Sequence, residues 1–256
     1  MRIAACQFAV SGDMHRNFAA MEDAVSRAAL QGVRLLAFPE CSLTGYPPRN
    51  ISSASAVDFK EADKLLGRLS GMSASHGIHL LLGTILPDDS GFFNSAVLLS
   101  PGANPQFYHK RALWGWDRDN FCPGNESGVF EIDGFKIGVR ICYELRFPEY
   151  FRELYAAHTD LNLVLFHDVG SSPDPERYGL LLAHLRTRAC ENICPVLSVN
   201  SVSPYQTAPT ALIDSSGCIL HECVPGRPEL LVYDLLPQPL DFSRQGRKEI
   251  SDMLNK

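Results

Sequence analysis

Three side chains suited to nucleophilic catalysis stand at the ends of predicted strands. Glu40 follows the apolar run Val33–Phe38 and a proline, Lys110 ends a short apolar run, and Cys142 follows another. A thiol attacks an acyl carbon once a base takes its proton, and a carboxylate can be that base. An ammonium group stabilises the negative charge that develops on the acyl oxygen. A carboxylate, a lysine and a cysteine can therefore perform acyl transfer without a histidine.

Each of these residues also has an ordinary structural explanation. Carboxylates cap helices, most lysines are solvated surface charges, and most cysteines are buried, inert thiols. The last explanation carries weight because the chain has seven other cysteines: Cys6, Cys41, Cys122, Cys190, Cys194, Cys218 and Cys223. The chemistry therefore depends on whether the fold brings the three side chains together.

The hydrophobic pattern predicts the elements that must position them. Apolar runs predict buried strands at Arg2–Val10, Val33–Phe38, Ile78–Ile85, Leu161–Phe166, Pro195–Asn200, Ala211–Asp214 and Leu230–Tyr233. Helical spacing predicts helices at Asn17–Leu30, Asp58–Ser75, Pro148–Ala157 and Arg177–Glu191. Turn residues predict two hairpins, which join Phe93–Leu99 to Pro105–His109 and Val129–Ile132 to Phe135–Ile141. This mixture indicates a layered α/β domain with mixed sheets.

No linker divides the chain, so we expect a single domain over residues 1–256, with 237–256 as a C-terminal arm or a frayed tail. The 256 residues are 45% hydrophobic and 20% charged, which is typical of a globular protein with a full core. The formal charge of −6 and the lack of a Lys/Arg run exclude nucleic acid and anionic membranes as expected partners.

Location and metal content are further expectations from the sequence. The first residues lack the basic and apolar regions of a secretory signal, and no run of 18 apolar residues occurs, so we expect a cytoplasmic protein with reduced thiols. Cys190 with Cys194, and Cys218 with His221 and Cys223, offer five possible zinc ligands. Their spacing does not match the two-residue gaps of common zinc sites, so we expect no metal and no cofactor.

Five segments, taken in order, resemble the nitrilase superfamily, also called the carbon–nitrogen hydrolases. They are FPECSLTGYPP, YHKRAL, GVRICYELRFPEYFREL, HLRTRACENICPVLSVNS and ALIDSSGCIL, and they extend over nearly the whole chain. The resemblance implies a four-layer α-β-β-α sandwich of the nitrilase type. It also implies a homodimer or higher homo-oligomer that forms through the long helix after Cys142 and the C-terminal arm.

The resemblance also implies roles for individual residues. Glu40 is the expected general base, Lys110 the catalytic lysine and Cys142 the nucleophile. The ammonium of Lys110 and the backbone N–H of Tyr143 are expected to hold the oxyanion. Tyr46 is expected in the substrate pocket.

The chain departs from the family pattern in two places. Relatives often carry a second glutamate before a Pro-Gly pair, and no glutamate lies between Lys110 and Pro123. Asp117 stands at the matching spacing, with Asp119 as the alternative. Where many relatives have a proline after the strand that contains Leu161–Phe166, this chain has His167 and Asp168. These two are either pocket residues or an ordinary polar turn.

The expected function is hydrolysis of a linear, non-peptide C–N bond in a small-molecule amide, with release of ammonia through a thioester on Cys142. Small aliphatic amides and ω-amides are the favoured substrates within this class. The alternatives are an N-carbamoyl amine hydrolase or a nitrilase. A non-catalytic binding member of the fold is an alternative of a different class, and the presence of Glu40, Lys110 and Cys142 argues against it.

Overall fold

The computed structural model describes residues 1–236 and 239–254. Its strands are β1 (Arg2–Gln7), β2 (Leu35–Ala37), β3 (His79–Asp88), β4 (Gly91–Leu99), β5 (Gln106–His109), β6 (Val129–Ile132), β7 (Phe135–Ile141), β8 (Leu161–Leu165), β9 (Val169–Gly170), β10 (Val196–Val199), β11 (Tyr205–Gln206), β12 (Ala211–Ile213), β13 (Ile219–Glu222) and β14 (Glu229–Asp234). Its helices are α1 (Met14–Leu30), α2 (Phe59–His76), α3 (Trp116–Asn120), α4 (Pro148–Ala156), α5 (Pro175–Asn192) and α6 (Phe242–Leu254). Short 3₁₀ turns cover Ala54–Ala56 and Cys142–Arg146.

The longer strands form two six-stranded sheets. The first has the order β14-β1-β2-β3-β4-β5 and the second has the order β13-β12-β10-β8-β7-β6, while β9 and β11 form a separate pair. Neighbours β1, β2 and β3 are parallel, as are β7, β8 and β10, and antiparallel strands flank both groups. The mixed sheets expected from the sequence are confirmed.

The side chains of β1 point alternately to the two faces of the first sheet, and this explains how the layers pack. Ile3 and Ala5 lie in the apolar core between the two sheets, whereas Ala4 and Cys6 lie in the core that packs against α1 and α2. A third apolar cluster, which includes Phe151 of α4, packs α4 and α5 on the outer face of the second sheet. Because both faces of each sheet are covered, the layer order is α-β-β-α, as predicted.

Local capping explains where the two helices on the first sheet begin and end. The carboxylate of Asp13 accepts hydrogen bonds from two backbone N–H groups at the start of α1, and Asp58 does the same for α2. Gly77 ends α2 in the left-handed conformation, with φ of 66°. None of the helices in the described ranges combines the length and the apolarity needed to cross a membrane.

The predicted elements lie within a few residues of the observed ones, and the structure adds a helix near the C-terminus. The segment expected to be an arm or a frayed tail contains helix α6, and its residues 237–238 and 255–256 lie outside the described residues. None of the α6 residues is buried, and the segment mixes charged residues with a few apolar ones, so its helix was not predicted. The elements α3, β9, β11 and β13 were not predicted either, because they are short or mostly exposed and so lack a recognisable apolar pattern.

Candidate active site

The candidate catalytic residues converge because they follow strands that run in the same direction. Strand β5 is antiparallel to β4, which is antiparallel to β3, so Lys110 after β5 and Glu40 after β2 leave the first sheet at one edge. In the second sheet, Cys142 and His167 lie beyond the carboxyl ends of the parallel strands β7 and β8. The Glu40 backbone N–H donates to the carbonyl of Phe166 at 3.2 Å, so the two edges meet. Ligand sites commonly lie at such strand ends.

Glu40 is held by three donors in a nearly water-free position, with 1% exposure. Its Oε1 accepts from the Nζ of Lys110 at 2.8 Å and from the Nδ2 of Asn94 at 2.7 Å. Its Oε2 accepts from the backbone N–H of His167 at 2.8 Å. Burial raises the pKa of Glu40 against the opposing effect of Lys110, and Asp117 raises it further. The carboxylate is therefore a stronger base than an exposed glutamate.

A glycine in β3 allows the Glu40 turn to approach the sheet. A Cβ on Gly83 would lie 2.3 Å from the backbone nitrogen of Cys41 and 2.4 Å from the carbonyl oxygen of Pro39. The Gly83 N–H also donates to Pro39 O at 3.1 Å. Any side chain at this position would displace the turn that carries Glu40.

Lys110 lies between two buried carboxylates. Its Nζ is 2.8 Å from Glu40 Oε1 and 2.7 Å from Asp117 Oδ2, and the hydroxyl of Tyr46 donates to Asp117 Oδ1 at 2.8 Å. Burial by itself lowers the pKa of Lys110, but the two carboxylates outweigh it and raise that pKa well above its ordinary value. The ammonium therefore keeps its charge. Asp119 is exposed, so of the two aspartates the fold brings Asp117 to Lys110.

Cys142 begins the 3₁₀ turn that leads from β7 into α4. Its φ of 49° lies in the left-handed region, a conformation that costs a non-glycine residue about 1–3 kcal/mol. Such strand-to-helix turns expose a nucleophile at the edge of a sheet. Burial, and next the Glu40 carboxylate, raise the pKa of the Cys142 thiol well above its ordinary value, although Lys110 opposes them. The resting thiol is therefore protonated, and its attack requires a base.

Glu144 is a buried carboxylate to which the sequence analysis assigned no role. Its Oε2 accepts from the backbone N–H of Ile141 at 2.7 Å, and its Oε1 accepts from the backbone N–H of Arg111 at 2.7 Å. One side chain thus ties the residue before Cys142 to the residue after Lys110. Its position two residues after the cysteine is visible in the sequence, but its partner Arg111 follows another strand, so only the fold reveals the connection.

A cavity of about 450 Å³ opens above these residues, within the range of small-molecule sites. Cys142 and Lys110 line it, and so do all three predicted pocket residues, Tyr46, Tyr143 and His167. The rings of Tyr46 and His167 stack with centroids 5.3 Å apart. Burial, and next the charge of Arg49, lower the pKa of His167 to about 3, so its ring is neutral. Neither ring nitrogen has a hydrogen-bond partner in the described part of the chain.

Asp168, the other residue of the unusual turn, also lines the cavity, but its charge is compensated. Its carboxylate accepts two hydrogen bonds from the guanidinium of Arg177, at 2.7 and 2.6 Å, and one from the hydroxyl of Thr207. Asn200 fixes the backbone of Asp168 through hydrogen bonds to its N–H and its carbonyl, at 2.9 and 2.8 Å. The turn is therefore a rigid wall of the cavity.

The fold brings only two of the five possible zinc ligands close to each other. Among the described residues, His221 and Cys223 cluster with Glu229, with ligand atoms within 4.8 Å of one another, and Cys190, Cys194 and Cys218 are not in the group. The Glu229 Oε2 atom already accepts the backbone N–H of Val224 at 3.0 Å. These residues do not line the cavity that contains Cys142.

A sandwich fold with a cavity that a cysteine and a lysine line, and with a buried glutamate in contact with that lysine, is the arrangement expected of a hydrolase with a cysteine nucleophile. The carbon–nitrogen hydrolase model matches residues 2–240, and the chain belongs to this family. A protein named as a hydrolase from Mycobacterium tuberculosis is 28% identical over 214 residues, which cover 80% of this chain and 73% of that protein. An omega-amidase from Xenopus tropicalis is 29% identical over 207 residues, which cover 75% and 71% of the two chains.

Solved structures agree with this assignment. An amidase from Nesterenkonia sp. AN1 superposes with a TM-score of 0.81 at 28% identity, and the match covers 99% of both chains. A Glu-to-Gln variant of that amidase carries the acetamide moiety of fluoroacetamide on its active-site cysteine, with a TM-score of 0.81 and 28% identity over 92% of this chain and 90% of that one. The present chain therefore shares its family and its fold with these amidases.

Proposed function

We propose that the protein hydrolyses small linear amides to carboxylic acid and ammonia through a thioester on Cys142. The observation that carries this proposal is the contact of Lys110 Nζ with both Glu40 and Asp117 at the edge of the cavity that Cys142 lines. The proposed nucleophile and cation thus line one cavity in which an amide carbon can sit, and the proposed base contacts the cation directly.

Acylation begins with attack of the Cys142 sulfur on the amide carbon. The thiol proton moves to Glu40 in the same step, because the raised pKa of the thiol disfavours a free thiolate. The negative charge on the amide oxygen faces the Lys110 ammonium and the backbone N–H of Tyr143. Collapse of this intermediate breaks the C–N bond, the proton on Glu40 passes to the leaving nitrogen, and ammonia departs from the thioester.

Deacylation uses the same groups. Glu40 takes a proton from water, the hydroxide attacks the thioester carbon, and the C–S bond breaks. The sulfur regains a proton from Glu40 and the carboxylic acid leaves. The raised pKa of Glu40 supports both steps, since this carboxylate accepts a proton more readily than an exposed glutamate.

Asp117 is proposed as the fourth member of the catalytic group, in place of the second glutamate of relatives. Its carboxylate helps to keep Lys110 charged, and the Tyr46 hydroxyl fixes its orientation. Burying two carboxylates and one ammonium costs free energy. A protein without catalytic activity would have no reason to keep such a buried charged group. This cost favours an enzyme over a non-catalytic binding protein.

The decisive experiment is intact mass spectrometry with an amide substrate such as butyramide. We expect a mass increase equal to one acyl group on Cys142, ammonia release by the wild-type protein, and neither of these with Cys142→Ala. Cys122→Ser is the matched control, because Cys122 is also half-buried but does not line the cavity. Alkylation with a general thiol reagent would discriminate poorly, since Cys218 is exposed. An acyl group on another cysteine, with activity retained in Cys142→Ala, would refute the proposal.

The same assay decides between amides and the other substrates of the class. We propose amides because the omega-amidase and the Nesterenkonia amidase are named for that activity. Faster release of ammonia from an N-carbamoyl amine or a nitrile than from every amide in a panel would reassign the enzyme within the class.

We also propose that the enzyme is a homo-oligomer, at least a dimer, in a reducing cytoplasm. Helix α6 leaves apolar side chains exposed, with Phe242 at 96% and Leu254 at 80%, and an exposed apolar surface of this kind favours association. The eight cysteines are free thiols in the structure, a state that a reducing compartment maintains for the nucleophile Cys142.

A further inference from the structure

Asn94 is a buried polar residue of β4 that lies directly beside the proposed general base. Its Nδ2 donates a hydrogen bond to Glu40 Oε1 at 2.7 Å, and its exposure is 1%. Its backbone carbonyl accepts the backbone N–H of Lys110 at 2.8 Å. Asn94 does not line the cavity that contains Cys142, so it acts on the reaction only through these two neighbours.

A second buried side chain fixes the orientation of the Asn94 amide. Cys41 directly follows Glu40, is fully buried, and places its Sγ 3.6 Å from Asn94 Oδ1, where a thiol donates a weak hydrogen bond. Burial, and next the charge of Glu40, raise the pKa of the Cys41 thiol well above its ordinary value, so this thiol keeps its proton. With the thiol at Oδ1 and the carboxylate at Nδ2, both neighbours favour the same orientation of the amide.

The hydrogen bonds of Glu40 differ between its two oxygen atoms. Each carboxylate oxygen offers about two acceptor sites. Oε1 accepts from Asn94 Nδ2 at 2.7 Å and from Lys110 Nζ at 2.8 Å, so its sites are filled. Oε2 accepts the backbone N–H of His167 at 2.8 Å, and no other donor within residues 1–236 and 239–254 bonds to it, so one site remains open. His167 lines the cavity together with Cys142.

We infer that Asn94 is a positioning residue for the general base, which fills Oε1 of Glu40 and leaves Oε2 to take the proton of Cys142. This inference rests on the proposed function and adds the atom that acts as the base. In acylation the S–H bond of Cys142 breaks, its proton bonds to Oε2, and the electron pair of the sulfur forms the bond to the amide carbon. The hydrogen bond from Asn94 also stabilises the ionised carboxylate, so it limits how far burial raises the pKa of Glu40.

The first test is Asn94→Ala, measured as the pH dependence of kcat and kcat/KM for butyramide. The substitution removes a hydrogen bond to ionised Glu40, so the pKa of Glu40 rises and the acidic midpoint of kcat/KM should move up by about one pH unit. Above this midpoint kcat should fall by about 10-fold because Oε2 is no longer held in place, and KM should stay near the wild-type value. A merely structural role would reduce the amount of active enzyme and leave the midpoint unchanged.

Asn162→Ala is the matched control. Asn162 is also a buried asparagine of a strand, β8, with 1% exposure, and its Oδ1 accepts a hydrogen bond from the Thr159 hydroxyl at 2.8 Å. It does not line the cavity. Its loss should lower the melting temperature, because a buried hydrogen bond is removed, and it should leave the pH midpoint at the wild-type value.

Cys41 allows a second perturbation that keeps Asn94 in place. Cys41→Ala removes the donor to Asn94 Oδ1, so the midpoint should move up by less than in Asn94→Ala. Cys41→Ser supplies a hydroxyl donor and should lie closer to the wild type. Cys194→Ala removes another buried thiol, which donates to the carbonyl of Thr159 at 3.3 Å, and it should not move the midpoint. If Asn94→Ala does not fold, an unchanged midpoint in Cys41→Ala would overturn the inference.

Alkylation of Cys142 by fluoroacetamide, followed by mass spectrometry, tests the same base without turnover. We expect the midpoint of its rate to move up in Asn94→Ala as well. An unchanged midpoint in folded Asn94→Ala, or an equal shift in Asn162→Ala, would overturn the role of Asn94 and leave the amidase proposal intact. A wild-type protein that hydrolyses no amide would overturn the proposed function instead, and the alkylation profile would still decide the role of Asn94.

Discussion

Replacing Glu144 with glutamine tests whether this buried carboxylate holds the catalytic residues in position. Four donors converge on it. Oε2 accepts the Ile141 N–H at 2.7 Å, whereas Oε1 accepts the Tyr108 hydroxyl at 2.8 Å and the backbone N–H groups of Arg111 and Ala112 at 2.7 and 3.4 Å. A glutamine amide has one acceptor oxygen, so in either orientation its NH₂ group faces a donor.

The expected loss of stability follows from the burial of the site. Glu144 has 0% exposure, so water cannot replace the missing acceptor. One stranded buried donor costs about 1–3 kcal/mol, and the bonds that remain lose their ionic character. We expect Glu144→Gln to lower the free energy of unfolding by about 2–5 kcal/mol. If the amide faces Ile141, the strained turn at Cys142 relaxes, and kcat should fall by about 10²-fold because the nucleophile is misplaced.

Urea-induced unfolding and steady-state kinetics on butyramide measure both effects. The matched control is Glu149→Gln, which makes the same chemical change at an exposed position in the first turn of α4. We expect that control to remain within about 0.5 kcal/mol of the wild type. If Glu144→Gln unfolds at the wild-type urea concentration and keeps its kcat, the carboxylate does not position the site.

The remaining predictions concern the charge group, the sheet beneath it and the assembly. Asp117→Asn should lower kcat/KM by about 10- to 100-fold through loss of a charge-assisted hydrogen bond to Lys110. Asp119→Asn should change kcat/KM by less than about twofold. Equal, mild effects of both substitutions would mean that neither aspartate is the fourth member of the catalytic group. Because the reaction needs ionised Glu40 and burial raises its pKa, kcat/KM should fall as the pH decreases, with a midpoint above the ordinary glutamate value of about 4.3, and Asp117→Asn should move that midpoint to lower pH. Gly83→Ala should destabilise the protein and reduce activity, because the added Cβ would overlap the turn that carries Glu40. Gly71→Ala in α2, where open space surrounds the glycine, should leave the melting temperature unchanged or raise it. Equal melting temperatures of the two variants would contradict this packing argument. Light scattering should give a mass near a multiple of the 28.3 kDa chain, and a fully active monomer would rule out the proposed assembly.

The sequence by itself determined the layers and the places where chemistry could occur. Apolar runs and helical spacing depend on neighbouring residues, so they predicted β1, β7, α1 and α5 before any contact was known. The same local pattern placed Glu40, Lys110 and Cys142 at strand ends. Their order and surrounding motifs then indicated the family, which the family model confirms.

Only the tertiary structure decided which neighbouring residues serve the site. Asp117 and Asp119 are two positions apart and chemically identical, and the turn of α3 buries one beside Lys110 and exposes the other. Glu144 shares its acceptor oxygens between two strands that are distant in the sequence, and Arg49 reaches the cavity from a loop of the opposite sheet. These relations depend on how the two sheets stack face to face so that the carboxyl ends of their strands meet. Such packing is set by long-range contacts that local hydrophobic periodicity does not encode.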